Sequence, residues 1–396
     1  MSITKILAWL KSLFARSPAP VQPALPPLSF PPIKVLFILK RREITDPTTG
    51  QVYSHAGMSS GLTNSARMVM TAINAYGLNN VPCQAEMVQV IDNNDIDREV
   101  TRFQPDVVII EAIWVVPEKF PILVKLHPTV KWIIRNHSNV PFLAQEGQTF
   151  DWLARYVETK NVYVASNTME SVNDIKDIVW ARQDIDRKAL AEKVLFFPNY
   201  YWSVDKPLWQ PKNGLELHVS CFGAIRPLKN HLVQAIAAIR YARASGQHLY
   251  FHINSGRIES GGAPVAKNLF ALFQNESNAT LVNHEWMSHA DFIKLVASMD
   301  VSLQVSFSET FNIVTADAVR QNVPIVVSPD VKWCDSKYYA DPTSADDIVE
   351  KMTLALTTSD HIEKNNKGLN DYNERSLHHI TVAILSTIGE DLLGQV

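Results

Sequence analysis

Short apolar runs alternate with helical patterns in two successive blocks, and this alternation constrains the fold more than any other feature of the sequence. In the first block the runs fall at 33–39, 85–91, 106–112, 130–135, 161–165 and 194–197. In the second they fall at 215–222, 248–254, 280–283, 301–305 and 324–327. A run such as IKVLFIL is apolar throughout, as a strand buried on both faces must be. With helices between the runs, each block predicts an α/β doubly wound parallel sheet. The segment at 199–214, NYYWSVDKPLWQPKNG, breaks the alternation with prolines and aromatics and reads as a linker between domains. The expected organisation is a Rossmann-like domain over 33–205, a second over 206–376, and a C-terminal helix over 377–396. That helix is amphipathic enough to cross back over the domain boundary, although its pattern does not say on which half it packs. Ligands of such sheets bind beyond the carboxyl ends of the strands, here in a cleft between the halves.

A chain of 396 residues, 46% of them hydrophobic, is long enough for two cores. Its net charge of -3 gives no global attraction to nucleic acid or anionic membrane, so any such contact needs a local patch. Cys83, Cys221 and Cys334 are far apart and lack metal-ligand spacing, which predicts a reducing, cytoplasmic compartment and no metal site. Residues 1–16, MSITKILAWLKSLFAR, depart from this neutrality. At 100° per residue Ile3, Ile6, Leu7, Leu10, Leu13 and Phe14 share one stripe, with Lys5, Lys11 and Arg16 off it. The stretch is shorter than the ~20 apolar residues that span a bilayer. It predicts an interfacial helix on an anionic membrane surface, peripheral at the inner face. A helix docked on the protein itself or on a partner is the alternative. Residues 17–32 form a Pro-rich tether that favours extended polyproline II.

The chemistry concentrates in 306–328, SFSETFNIVTADAVRQNVPIVVS, which reads as loop, helix, turn and strand. Glu309 stands just ahead of the helical pattern and Asp317 about two turns along, roughly 12 Å away at 1.5 Å per residue. That span is close to the distance between the sugar and the ribose of a sugar nucleotide. Between them Thr310, Phe311 and Asn312 lead into a helix start whose unpaired N–H groups suit a diphosphate. Acids near helix starts also serve as caps, and a mid-helix Asp is commonly solvated. The second domain's first strand runs into GAIRPLKNH, where Arg226 and Lys229 could neutralise a diphosphate leaving group in place of a metal ion. Ser60 and Gly61 close the HAGMSSG segment at the mouth of a helix, where a backbone can approach phosphate. His137 and Asn199 follow predicted strands and so fall at the same edge. Lys40, Arg41 and Arg42 open a long loop beside the cleft and suggest an acidic acceptor.

The ordered segments SSGLTNSARMV, IIRNHS, NVYVASNTMESV, VLFFPN, FGAIRPLKN and the run from Asn283 to Ser328 resemble the retaining glycosyltransferases of the GT-B fold, in particular family 4. The resemblance covers nearly all of residues 33–393. It implies two Rossmann-like domains facing across a cleft, a nucleotide-diphosphate sugar as donor substrate, and no cofactor or metal. Carried over residue by residue, it implies that Gly61 approaches the donor phosphates and that His137 stands near the transferred sugar. Lys229 then falls at the phosphate-binding lysine, Glu309 at the first acid, beside the sugar, and Asp317 at the acid that grips the ribose. Two departures stand out: Ala224 where the family usually has Arg, which leaves Arg226 to compensate, and Asp317 where it has Glu. The favoured acceptor is a lipid-linked or envelope glycan. A modified base of viral DNA is the second reading, and a non-catalytic sugar-nucleotide-binding protein the third.

Overall fold

The computed structural model describes residues 31–41, 43–45, 52–54, 61–79, 81–182, 185–203, 206–212, 214–259 and 261–388. The amphipathic stretch 1–16, all but the last two residues of the tether, Arg42, Ser60 and residues 389–396 lie outside them. The first sheet contains β1 (Ile33–Lys40), β4 (Cys83–Val90), β5 (Val107–Glu111), β6 (Lys131–Asn136), β7 (Val162–Ser166) and β8 (Val194–Phe196). Its spatial order is β4-β1-β5-β6-β7-β8, with every neighbouring pair parallel. A small antiparallel hairpin, β2 (Glu43–Thr45) and β3 (Val52–Ser54), lies within the loop after β1. The second sheet contains β9 (Glu216–Ser220), β10 (His248–Ile253), β11 (Ala279–Asn283), β12 (Val301–Gln304) and β13 (Ile325–Val327). Its order is β11-β10-β9-β12-β13, also all parallel.

The apolar runs are explained by burial on both faces. Leu36 and Ile38 of β1 join Val108, Ile110, Trp132 and Ile134 in one core, while Val35 and Phe37 join Val107, Ile109 and Ile133 in another. Successive side chains of one strand therefore enter different cores, and a polar residue in mid-strand has no wet face to occupy. In both sheets the order reverses beside the first strand, between β1 and β5 and again between β9 and β12. Such switch points open a crevice at the strands' carboxyl ends.

The stretch from Leu377 is not a separate element. It is the second half of one helix, Asp360–Ile388, about 43 Å long at 1.5 Å per residue. Its early residue Leu369 packs with Val327, Val331 and Trp333 of the second half. Further along, Ile380, Ala383 and Ile384 complete the core beneath β1 and β5. A fully buried isoleucine of this kind stabilises by roughly 2 kcal/mol.

Candidate functional site

A cavity of about 670 Å³ is lined by residues from the carboxyl ends of both sheets. Lys229 reaches it through a loop that only certain residues can form. After β9 the chain turns at Gly223, whose φ of +119° is strained for any residue with a side chain. Pro227–Lys229 then makes one 3-10 turn, closed by Asn230 in the left-handed region. The Asn230 side chain donates to Val305 O at 3.0 Å and Pro342 O at 2.7 Å, which fixes the loop against β12. Lys229 Nζ pairs with the Glu309 carboxylate; the two side chains retain 12% and 8% of their exposure.

Glu309 lies on a loop held from both domains. Its N–H donates to Asp330 Oδ2 at 3.0 Å, and its carbonyl accepts from Asn139 Nδ2 at 2.5 Å. Thr310 Oγ1 donates to the carbonyl of His137 at 3.1 Å and accepts from Asn167 Nδ2 at 3.0 Å. Phe311 is buried against Trp333 and Tyr372. Asn312, with φ 54°, caps the Ile313–Arg320 helix by accepting from Thr315 N at 3.0 Å, and donates to Gln304 Oε1 at 3.0 Å. The side chains of Thr310, Phe311 and Asn312 are thus occupied in holding the loop, and their backbones are what they offer the cavity. The amides of Ile313 and Val314 open the helix without an intrahelical acceptor.

A second helix start meets this one. Gly61 begins the helix Gly61–Tyr76, and a Cβ there would lie 3.3 Å from Ile313 Cγ2. Glycine permits the two N-termini to approach, and their positive dipole ends converge on the cavity. Arg226 also lines it, with Nη1 donating to Glu259 Oε2 at 3.3 Å and Cζ lying 4.5 Å from the Phe142 ring centroid. Arg257 pairs with the same Glu259. Asp317 is not a solvated helix position: it is 2% exposed. Its Oδ1 accepts from Tyr201 Oη at 2.7 Å and lies 2.9 Å from His289 Nε2.

His137 and Asn199 belong to one buried network. His137 Nε2 lies 2.5 Å from Glu111 Oε2, and Arg135 Nη1 donates to Glu111 Oε1 at 3.0 Å. Burial would raise the Glu111 pKa, but Arg135 and His137 hold it below the usual carboxylate value. Burial and the Arg135 charge hold the His137 imidazole below its ordinary value, against the pull of Glu111. Asn199 Oδ1 accepts from Arg135 Nη2 at 3.2 Å and from Asn167 Nδ2 at 3.0 Å, and Asn199 Nδ2 donates to Ser65 Oγ at 3.0 Å.

The cavity therefore gathers Gly61, His137, Asn199, Arg226, Lys229, Glu309, Thr310, Phe311, Asn312 and Asp317. Reading the sequence missed Glu111, Arg135, Asn139, Asn167, Tyr201, Glu259 and His289. One signal was present: an acid at the end of the apolar run DVVIIE has no solvated face in a parallel sheet and needs a buried partner. Among the described residues no cluster of His, Cys, Asp and Glu is arranged to hold a metal ion, and no helix is long and apolar enough to cross a membrane.

No protein-family model matches the chain, and no curated protein matches it. Among solved structures, a trehalose-phosphate synthase (UDP-forming) from Burkholderia vietnamiensis is similar, with a TM-score of 0.61 at 10% identity over 90% of this chain and 97% of that one. HepE of Anabaena in complex with UDP and glucose has a TM-score of 0.55 at 11% identity, covering 92% and 100%. A variant of S. aureus TarM, in complex with Fondaparinux, alpha-GlcNAc-glycerol and UDP, has a TM-score of 0.54 at 14% identity, covering 74% of this chain and 58% of that one. The chain thus spans little more than half of the TarM length. At these identities the likeness is one of fold, and with two parallel Rossmann-like sheets opening on a common cavity, the chain has the GT-B fold.

Proposed function

We propose that the protein is a retaining glycosyltransferase that moves a sugar from a nucleotide-diphosphate donor to an acceptor hydroxyl. The observation that carries this reading is the part-buried Lys229–Glu309 pair beside two converging helix N-termini. Breaking the bond from the anomeric carbon to the diphosphate develops positive charge on the sugar and negative charge on the leaving oxygens. In this reading Lys229, Arg226 and the amides at the start of the Ile313–Arg320 helix stabilise the leaving group, the role a metal ion plays elsewhere. Glu309 lies by the anomeric carbon, His137 by a sugar hydroxyl, and Asp317 holds the ribose with support from Tyr201 and His289. The leaving phosphate takes the proton of the acceptor, so no enzymic nucleophile is required. Gly61 approaches the phosphates from the first domain. The complexes of HepE and TarM with UDP support a uridine donor as the first to test.

For the acceptor we propose an acidic glycan, lipid-linked or of the envelope, met by Lys40, whose side chain is exposed at the end of β1 and lines the cavity. Residues 1–16 would bring the enzyme to the inner membrane face. The test is a thermal-shift screen of nucleotide diphosphates and their sugars, followed by transfer assays. Lys229→Ala and Glu309→Ala should each lower transfer by about 10²-fold or more while circular dichroism stays native. Near-normal turnover in either purified variant would remove the assignment.

A further inference from the structure

The buried network under the first-domain wall determines what His137 can offer a ligand. Glu111 ends β5 and Arg135 lies on the adjacent β6; both side chains are fully buried. Arg135 spends its other donors on Phe197 O at 3.4 Å, Pro198 O at 3.0 Å and Asn199 Oδ1 at 3.2 Å, with Cζ 4.7 Å from the Phe197 ring centroid. Its position and polarity are therefore fixed, and it holds Glu111 Oε1. The carboxylate is ionised and can only accept, so the nitrogen 2.5 Å from Oε2, His137 Nε2, must carry a proton. Burial and the Arg135 charge disfavour a second proton. The imidazole is then neutral, with a lone pair on Nδ1. His137 lines the cavity, and among the described residues Nδ1 has no partner.

We infer that Glu111 is a positioning residue that locks His137 in the Nε2–H tautomer, so that the cavity receives a hydrogen-bond acceptor and the ligand group facing it is a hydroxyl donating to Nδ1. Arg135, Glu111 and neutral His137 together carry no net charge. A protonated imidazole at this wall would oppose the positive charge developing on the sugar, and an Nδ1–H would turn the hydroxyl's lone pairs away from the reacting carbon. The identity of the ligand rests on the proposed function; the tautomer does not.

The experiment substitutes Glu111→Gln. Arg135 holds the amide oxygen, so the amide N–H₂ turns toward His137 Nε2 and drives the proton to Nδ1. Long-range ¹H–¹⁵N correlation spectra of histidine-labelled full-length protein report the tautomer, with the His137 signal identified by its loss in His137→Gln. The native protein at neutral pH should show the Nε2–H pattern and Glu111→Gln the Nδ1–H pattern. Glu111→Gln should lower kcat by at least about tenfold, as a wrong tautomer does in hydrolytic triads. Its KM for the donor should move little. Glu111→Asp should keep the Nε2–H pattern and recover part of the rate. A loss of both transfer and slow donor hydrolysis assigns the hydroxyl to the donor sugar; a loss of transfer alone assigns it to the acceptor.

Should Glu111→Gln fail to fold, the native spectrum and Glu111→Asp still decide. An Nδ1–H or doubly protonated His137 in the native protein overturns the inference, as does an unchanged kcat in a variant whose tautomer has switched. A native protein that binds no sugar nucleotide ends the proposed function instead, and leaves the tautomer as measured.

Discussion

Lys229 and Glu309 hold opposite charges on part-buried side chains, so removing either leaves the other without its charge partner. A diphosphate would replace the carboxylate as the lysine's partner and free Glu309 to face the sugar. His231 poses a different problem, in the first turn of the His231–Ser245 helix. It is fully buried, and among the described residues neither ring nitrogen has a partner. Burial, with Lys229 and Arg226, pushes its pKa from 6.5 to about 3; burial, with His284 and His218, does the same to His252. Both are neutral when folded but take a proton near pH 6.5 when unfolded. Their contribution to stability is complete above pH 6.5 and is lost as pH falls toward 3. At pH 5 each costs up to about 2 kcal/mol. Urea midpoints at pH 7, 6 and 5 should therefore fall for the native protein and fall less for His231→Leu. Equal acid losses in the two would count against this account. Glu309 and Lys229 were legible because each sits in a contiguous segment whose local pattern places it at a strand or helix end. Glu111 and Arg135 were not, since their pairing crosses two strands 24 residues apart.

Among the elements, the long Asp360–Ile388 helix shows how a local preference is overruled by packing. Gly368 lies in it, and a Cβ at that position would come within 2.1 Å of Trp333 O. Gly368→Ala should add about 1 kcal/mol of helix propensity and lose about 1–3 kcal/mol to overpacking. The clash prevails where Trp333 cannot move, and it is pinned by its Nε1 donating to Phe311 O at 2.8 Å. The variant should melt below the native protein in calorimetry; a Tm equal or higher would show that Trp333 yields. Strand positions were readable from their apolar runs, but their ends were set by backbone geometry. The 106–112 run stops at Glu111 because Ala112 has φ 70°, outside the β region. The β2–β3 hairpin was invisible, since strands of three residues show no period.

For the whole molecule, one set of polar contacts between the halves is aimed at the Glu309 loop. Asn139 donates to the Glu309 carbonyl, Asn167 to Thr310, and Thr310 to the His137 carbonyl. Asn139→Ala should weaken nucleotide binding by about tenfold, or about 1.4 kcal/mol, through the loss of one interdomain bond. Titration calorimetry with the diphosphate that the thermal screen selects would measure it, and unchanged affinity would mean that the loop is held without the first domain. None of these bonds could be read from the chain, because partners 143 to 173 residues apart leave no periodic trace. Nor could the host of the last helix: Ile380, Ala383 and Ile384 form the stripe of any amphipathic helix, and only shape decides which sheet receives it.

That stripe has a further consequence for the order of synthesis. The residues sealing the underside of β1 and β5 leave the ribosome after the entire second sheet has been made, so the first half emerges with an apolar surface still waiting for its cover. Its completion on the nascent polypeptide waits until the second half has been made, and the half made first is finished late.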